Sequence, residues 1–309
     1  MAAIGTYWKA SRPYSYPAAV VPVLIGAAFA KWTFSSLHLN WWNLVLVVMG
    51  CVLAQGISNL VNDLADFKFG VDHEGVPGRK SALVSGDLSF QQMLGATLIV
   101  CAGAALIGIY FALKIGLPMV ALVALGAIIS IEYTAPPLKL KYHGLGDLGV
   151  FLCFGLGMSF GSYMVQTYFL GGWLEASRLT ELFIYSIPSA LLVVAILQTN
   201  NHRDRDKDAQ FGGKTVANIL SYNSSQIYLL GLVFLPYLIV VGMIGFRTAA
   251  WPLLLVFLTL PIALELLKRV RAKRYEGIVP IAARLDGLFG ILMAAGMSLQ
   301  IWLRAKGQL

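Results

Sequence analysis

Two short segments concentrate the acidic residues of a chain that holds only 15 Asp and Glu among 309 residues. The segments carry Asn62, Asp66 and Asp72, and Asn200, Asp204 and Asp208. A spacing of four places Asn62 and Asp66 on one helix face, and it does the same for the second set. Stacked carboxylates repel unless a cation lies between them, and Mg²⁺ prefers one or two carboxylates plus water and phosphate oxygens. The segments therefore predict two incomplete ligand sets that share Mg²⁺ and a phosphate-bearing ligand.

The two segments also occupy equivalent places in the sequence. The same offset separates Asn62 from Asn200 and Asp66 from Asp204, and each pair ends an apolar stretch that leads into a glycine-containing loop. We interpret this as a weak internal repeat. It predicts one domain over residues 1–309, with two pseudo-repeated halves whose Asp motifs at 62–72 and 200–208 face each other across a cavity.

Basic residues follow these acids on the same predicted face of the membrane. They are Arg79, Lys80, Lys139, Lys141, Arg203 and Lys214. Lysine and arginine are the usual protein partners of phosphate oxygens. We therefore expect this group to contact a ligand that bears several phosphate oxygens.

The composition is that of an integral membrane protein. Hydrophobic residues make up 58% and charged residues 12% of the chain, and the mean hydropathy is +0.74. These values exclude a disordered chain, a coiled coil and a secreted disulfide scaffold. Cys51, Cys101 and Cys153 lie inside apolar runs without zinc-type spacing, so we expect them to be packing residues.

Nine apolar stretches are long enough to cross a bilayer as helices. They cover residues 14–31, 43–61, 92–113, 115–133, 148–169, 181–199, 225–245, 249–267 and 285–303. Most Lys and Arg fall at the N-terminus and in the loops after the even-numbered stretches, which predicts a cytoplasmic N-terminus and cytoplasmic active-site loops. The net charge of +8 is then a topology signal rather than a nucleic-acid footprint.

The motifs resemble those of the UbiA-type intramembrane prenyltransferases, and the resemblance covers nearly the whole chain. Its segments are Asn62 to Asp72, Leu83 to Gly86, Tyr133 to Lys139, Gly144 to Asp147, Ser162 to Thr167 and Asn200 to Asp208. Within that family they are most similar to the menaquinone branch, the 1,4-dihydroxy-2-naphthoate polyprenyltransferases. The resemblance implies an all-α membrane fold of about nine helices around a central pocket, capped by cytoplasmic loops.

The resemblance also implies a reaction: Mg²⁺-dependent transfer of a polyprenyl group from an isoprenoid diphosphate to an aromatic acceptor, with loss of CO₂ when that acceptor is dihydroxynaphthoate. Asp66, Asp72, Asp204 and Asp208 would be catalytic and, with Asn62 and Asn200, would hold two Mg²⁺ ions on the diphosphate. The six basic residues named above would neutralise that diphosphate. Tyr133, Phe160 and Tyr163 are candidates to shield an allylic cation, Gln166 to bind an acceptor oxygen and Arg12 its carboxylate.

Other acceptors stay open within the family, namely 4-hydroxybenzoate, homogentisate, chlorophyllide and glyceryl lipids. Outside it, a cation-coupled transporter also places carboxylates in the membrane, but transporter sites tend to lie near the midplane, whereas these acids cluster at one face. We assign no histidine as a metal ligand and interpret His73 and His202 as solvated loop residues. We expect a multi-pass protein of a prokaryotic cell membrane, in contact with lipid, with no nucleic acid and no obligate protein partner.

Overall fold

The computed structural model describes residues 4–71 and 81–308, and every regular element within these ranges is helical. The α-helices are α1 (Ile4–Ala10), α2 (Pro17–Thr33), α3 (Trp41–Lys68), α4 (Phe90–Ile115), α5 (Leu117–Glu132), α6 (Gly146–Val150), α7 (Met158–Thr167), α8 (Ala176–Arg203), α9 (Arg205–Gln210), α10 (Val216–Ile219), α11 (Tyr222–Gly245), α12 (Leu260–Arg271) and α13 (Ile278–Ala305). A π-helical segment, Phe151–Gly157, joins α6 to α7. The predicted all-α fold is confirmed.

Seven helical segments in the described ranges are long and apolar enough to span a membrane. They are Pro13–Thr33, Trp41–Lys68, Phe90–Ile115, Gly146–Thr167, Ala176–Arg203, Tyr222–Gly245 and Ile278–Ala305. The predicted stretch 115–133 forms the shorter helix α5, and the stretch 249–267 is divided between a 3₁₀ segment, Trp251–Thr259, and α12. The protein is thus a multi-pass membrane protein, and the count of nine spans stays a prediction.

Helix ends are specified by short polar or glycine signals between the apolar runs. Asn40 caps α3 through its side chain, and Ser89 forms a capping box with Gln92 at the start of α4. A single residue, Gly116, separates α4 from α5 at φ +85°. Only glycine adopts this conformation easily, so it permits the tight reversal that brings the two helices together.

Helix α2 lies at the centre of the bundle and packs against α3, α7, α8 and α13. Small residues make these approaches close: a Cβ on Gly26 would lie 2.1 Å from the Ser159 carbonyl oxygen, and one on Gly290 would lie 2.0 Å from Val21 Cγ1. Contacts of this kind are how helices associate in lipid, where burial of apolar area provides little driving force. The central helix fixes the positions of the flanking helices, including α3 and α8.

The two helices that carry the Asn-xxx-Asp pairs, α3 and α8, end on the same side of the bundle. The chain segment around Pro13–Ser15 and the loop from Tyr133 to Leu145 lie at that side as well. The predicted repeat segments are therefore brought together by two helix C-termini and two connecting segments.

Candidate active site

A polar cavity of about 150 Å³ opens between the C-terminal ends of α3 and α8. Its walls carry most of the polar residues predicted to be functional. Its polar lining residues are Arg12, Tyr14, Ser15, Gln55, Ser58, Asn59, Asn62, Asp66, Tyr133, Lys141, Asn200, Asn201, Arg203, Asp204, Lys207 and Asp208. The apolar remainder comes from α2, α8, α13 and the segment around Phe154.

At the end of α3, the first Asn and Asp are held by neutral donors. Asn62 Nδ2 donates to Asp66 Oδ2 at 3.1 Å, and Thr134 Oγ1 donates to Asn62 Oδ1 at 2.8 Å. The first bond spans one helical turn, as the spacing of four predicts. Thr134 belongs to the loop after α5, so this loop fixes the rotamer of Asn62.

At the end of α8, the second pair is held by a cation from its own helix. Arg203 donates through Nε and Nη2 to both carboxylate oxygens of Asp204, at 2.7 and 2.6 Å. Arg203 Nη2 also donates to Asn200 Oδ1 at 2.8 Å. Asp204 is the single residue between α8 and α9. Helix α9 then carries Asp208 back towards the cavity.

Lys141 joins the two helix ends. Its Nζ lies 2.9 Å from Asp208 Oδ1 and 3.8 Å from Asp66 Oδ2. Burial alone would lower the pKa of Lys141, but the charges of Asp66 and Asp208 outweigh this and raise the pKa well above its ordinary value. Lys141 is therefore cationic and balances one carboxylate from each half of the chain.

The oxygen donors around this cavity fit a hard divalent cation in chemical type. Asn62, Asp66, Asn200, Asp204 and Asp208 supply carboxylate and amide oxygens, which Mg²⁺ accepts together with water and phosphate. Within residues 4–71 and 81–308, no three His, Cys, Asp or Glu side chains form a preformed metal cage.

Arg12 lines the same cavity and is paired with Asp63, to which the sequence analysis assigned no role. Arg12 Nη2 donates to Asp63 Oδ1 in an ion pair whose carboxylate is fully buried. Tyr133 also lines the cavity, and burial raises its pKa, so its phenol stays protonated.

Other predicted residues are not brought to the polar cavity. Tyr163 Oη donates to the Trp173 carbonyl at 2.9 Å. Gln166 accepts from the backbone N–H of Asn40 and donates to its carbonyl. These contacts lie near the C-terminal end of α7, away from the polar cavity. The roles of Tyr163 and Gln166 at the acceptor stay predictions. Phe160 packs against the apolar core.

Two predicted diphosphate ligands also point elsewhere. Lys139 Nζ lies 4.3 Å from the centroid of the Phe69 ring, and Lys214 is exposed, so neither lines the cavity. Asp72, Arg79 and Lys80 lie outside the described residues, and their roles stay predictions.

A second, apolar cavity of about 410 Å³ lies between α3, α4, α5 and α7. Phe154 lines both cavities, so the polar and apolar spaces are neighbours. All three cysteines, Cys51, Cys101 and Cys153, are free thiols and line the apolar cavity. They border an internal space, which the sequence alone does not indicate.

His202 was expected in a solvated loop, and that expectation is wrong. It lies in the last turn of α8, 3% exposed, where Nδ1 is 2.9 Å from Ser225 Oγ and Nε2 is 3.2 Å from Tyr275 Oη. It packs the back of α8 against its neighbours. Sequence reasoning also missed Asn201 and Lys207, which line the cavity within the second motif.

Comparison with known proteins assigns this chain to a family. The model of the UbiA prenyltransferase family matches residues 19–279. UbiA prenyltransferase domain-containing protein 1 of Xenopus tropicalis is 33% identical over 297 residues, covering 95% of this chain and 82% of the relative. The 1,4-dihydroxy-2-naphthoate octaprenyltransferase of Bacillus subtilis (strain 168) is 27% identical over 294 residues, covering 94% of this chain and 91% of the relative.

The fold leads to the same group. A UbiA homolog from Archaeoglobus fulgidus, solved bound to GPP and Mg²⁺, matches with a TM-score of 0.60 at 14% identity, covering 95% of this chain and 99% of that homolog. At this identity the match concerns the fold. Together with the family match over most of the chain, it shows that the protein belongs to the UbiA prenyltransferase family and is a membrane-embedded prenyltransferase.

Proposed function

We propose that this prenyltransferase transfers a polyprenyl group from an isoprenoid diphosphate to 1,4-dihydroxy-2-naphthoate, in a Mg²⁺-dependent reaction that releases CO₂. The observation that carries the proposal is the presence of two unlike, neighbouring cavities that share Phe154 as a lining residue. One is lined by carboxylates, amides and cations, and the other by aliphatic side chains. A molecule with a diphosphate head and an apolar tail has this same division.

The diphosphate would occupy the polar cavity. Asn62, Asp66, Asn200, Asp204 and Asp208 would hold Mg²⁺ there, with Asp72 as a further candidate, and bound Mg²⁺ would offset the charge that develops on the leaving diphosphate. Lys141 and Arg203, which line the cavity, would neutralise phosphate oxygens directly. The relative from Archaeoglobus fulgidus, solved with GPP and Mg²⁺, supports this assignment.

The prenyl tail would lie in the apolar cavity, beyond Phe154. Cleavage of the bond between C1 and the diphosphate oxygen leaves the electron pair on diphosphate and an allylic cation at C1. The faces of Phe154 and Tyr133 would shield that cation from water. The ring carbon that bears the carboxylate would then bond to C1; the bond from that carbon to the carboxylate breaks, its electron pair restores the aromatic ring, and the carboxylate leaves as CO₂.

The naphthoate acceptor is supported by the Bacillus subtilis relative, whose name specifies that acceptor. The cation of Arg12 at the cavity wall is suited to an acceptor that carries a carboxylate. We also propose that the two halves of the domain form a repeat and that the cavity end faces the cytoplasm, as the distribution of Lys and Arg predicts. The relatives come from animals and from a bacterium, so the host membrane stays a prediction.

The test is turnover by purified protein in detergent. Radiolabelled geranylgeranyl diphosphate, Mg²⁺ and 1,4-dihydroxy-2-naphthoate are incubated with and without EDTA, and the organic extract is analysed. We expect a lipid-soluble prenylated naphthalenediol, absent with EDTA. Transfer only to 4-hydroxybenzoate, homogentisate or another acceptor would contradict the proposed acceptor, and transfer that persists in EDTA would contradict the metal assignment.

A further inference from the structure

The buried ion pair between Arg12 and Asp63 presents its two charges unequally to the polar cavity. The Asp63 side chain is 0% exposed, whereas the Arg12 side chain is 17% exposed and lines the cavity. The carboxylate therefore lies behind the guanidinium. A ligand in the cavity meets the cation and not the anion.

Asp63 engages only part of the Arg12 guanidinium. Nη2 donates to Asp63, while Nε is buried and has no hydrogen-bond partner among residues 4–71 and 81–308. A guanidinium carries five N–H donors in a rigid fork, which suits a planar carboxylate. The geometry leaves donors available for a second anion beside the one that already holds the side chain.

The backbone of Arg12 is held in an unfavourable conformation. Its φ is 55° and ψ is 62°, in the left-handed region, and Pro13 follows. Residues other than glycine adopt this region rarely, and the surrounding structure must hold them there. An observed outlier at a cavity wall is a reason to look for a role in binding.

One face of α3 supplies that support. Gln55, Asn59 and Asp63 are spaced by four and all contact the segment around Arg12. Asn59 Nδ2 donates to the Ser11 carbonyl at 2.9 Å and to Ser15 Oγ at 3.1 Å, and Gln55 Nε2 donates to Ser15 Oγ at 3.2 Å. The adjacent face of α3, which carries Asn62 and Asp66, supports the proposed diphosphate site instead.

We infer that Asp63 is a positioning residue that orients Arg12 so that the guanidinium binds the carboxylate of an arene-carboxylate acceptor. The inference rests on the proposed function, because it assumes that the acceptor carries a carboxylate. It assigns the two polar faces of α3 to different substrates: Asn62 and Asp66 to the donor diphosphate, and Gln55, Asn59 and Asp63, through Arg12, to the acceptor.

The test separates acceptor binding from donor binding in D63N. We measure KM for dihydroxynaphthoate and for geranylgeranyl diphosphate, and inhibition by 1-hydroxy-2-naphthoate and by 1-naphthol, which lacks the carboxylate. Loss of the charged partner should raise the acceptor KM and weaken inhibition by 1-hydroxy-2-naphthoate by about tenfold or more. The donor KM and inhibition by 1-naphthol should stay within about twofold.

Three further variants keep the result interpretable. D87N removes an exposed acid, bonded to Ser85, from the loop before α4 and should behave as wild type. R12K keeps the charge opposite Asp63 but removes the fork; it should show the same acceptor-specific loss, and it replaces D63N if that variant does not fold. D63E keeps the carboxylate and should recover part of the acceptor affinity.

The outcomes distinguish the inference from the function on which it rests. Failure of wild-type protein to prenylate dihydroxynaphthoate contradicts the proposed acceptor and the inference with it. Wild-type turnover combined with equal losses for donor and acceptor in D63N and R12K, or with no loss for either, overturns the inference alone. Such a result would make the ion pair a structural attachment of the N-terminal segment.

Discussion

The ends of α3 and α8 carry the same Asn-xxx-Asp pattern but balance their charge differently. At α3, Asn62 and Asp66 are held by Thr134 and by Lys141, both from the segment after α5. At α8, Arg203 within the same helix turn binds both Asn200 and Asp204. The α8 end is neutralised locally, whereas the α3 end depends on a separate part of the chain.

This difference predicts which changes affect both ends and which affect one. Lys141 contacts Asp66 from one half and Asp208 from the other, so it couples them. Arg203 and Thr134 each act at a single end. Loss of the acids themselves should have the largest effect, and loss of a neutral donor the smallest.

Replacement of either acid should abolish turnover to a similar degree, despite their different partners. We expect D66N and D204N each to reduce kcat by at least about 10²–10³-fold, because each carboxylate is proposed to help offset charge on the leaving diphosphate. Initial rates at saturating substrates measure this. D206N is the matched control, since Asp206 is exposed on α9 and does not line the cavity. Full activity in D66N or D204N would remove that end from the site.

Loss of the shared cation should destabilise the protein. In K141M, two buried carboxylates lose their common partner, and breaking a buried ion pair costs about 3–5 kcal/mol. We expect a lower midpoint of unfolding in detergent, partly restored by millimolar Mg²⁺ because a metal ion can replace the missing charge. K139M, in the same loop, removes contacts with the Phe69 and Tyr142 rings and should cost about 1 kcal/mol or less. Equal stability of K141M and wild type would contradict the coupling.

The α8 end should be sensitive to the shape of its cation as well as to its charge. Lysine cannot reproduce the two bonds from Arg203 to Asp204, so R203K should raise the donor KM by about tenfold. R205K is the control, because Arg205 donates to the backbone carbonyls of Ala217 and Leu220 rather than to the cavity. A donor KM that changes equally in both variants would mean that Arg203 has a structural role only.

The smallest effect is expected at the α3 end, from T134V. This change removes one neutral hydrogen bond to Asn62, worth about 1 kcal/mol. A fall of about fivefold in kcat, with acceptor KM unchanged, would show that Thr134 sets the position of Asn62. T180V is the control: it removes the exposed hydrogen bond that Thr180 Oγ1 donates to the Ala176 carbonyl within α8, and it should leave kcat as in wild type.

Much of this arrangement was predictable because membrane helices follow simple rules. Apolar length gave the helices, and spacing by four placed Asn62 and Asp66 in contact. The pairing of Lys141 with acids from both halves was not predictable, because it depends on how a loop folds over two helix ends. Its presence among the basic residues near the acids was the only sequence signal.

Two of the predicted residues lie away from the polar cavity because of the direction in which their helix runs. Tyr163 and Gln166 were predicted from a family motif, but α7 runs away from the cavity, so its later turns lie at the other end of the bundle.

Gln55, Asn59 and Asp63 were not predicted to be functional, but they did carry a signal, since polar residues spaced by four inside an apolar helix indicate a polar partner. Their partner is a short segment near the N-terminus, which no periodicity identifies.

The most direct test of the central claim is Mg²⁺-dependent binding of a non-hydrolysable isoprenoid diphosphate analogue, measured by calorimetry on wild type, D66N and D204N. If both helix ends hold the same metal-diphosphate, wild type binds only when Mg²⁺ is present, and each variant loses most of the affinity. Binding that is unaffected by EDTA, or that survives in both variants, would contradict a site shared between the ends of α3 and α8.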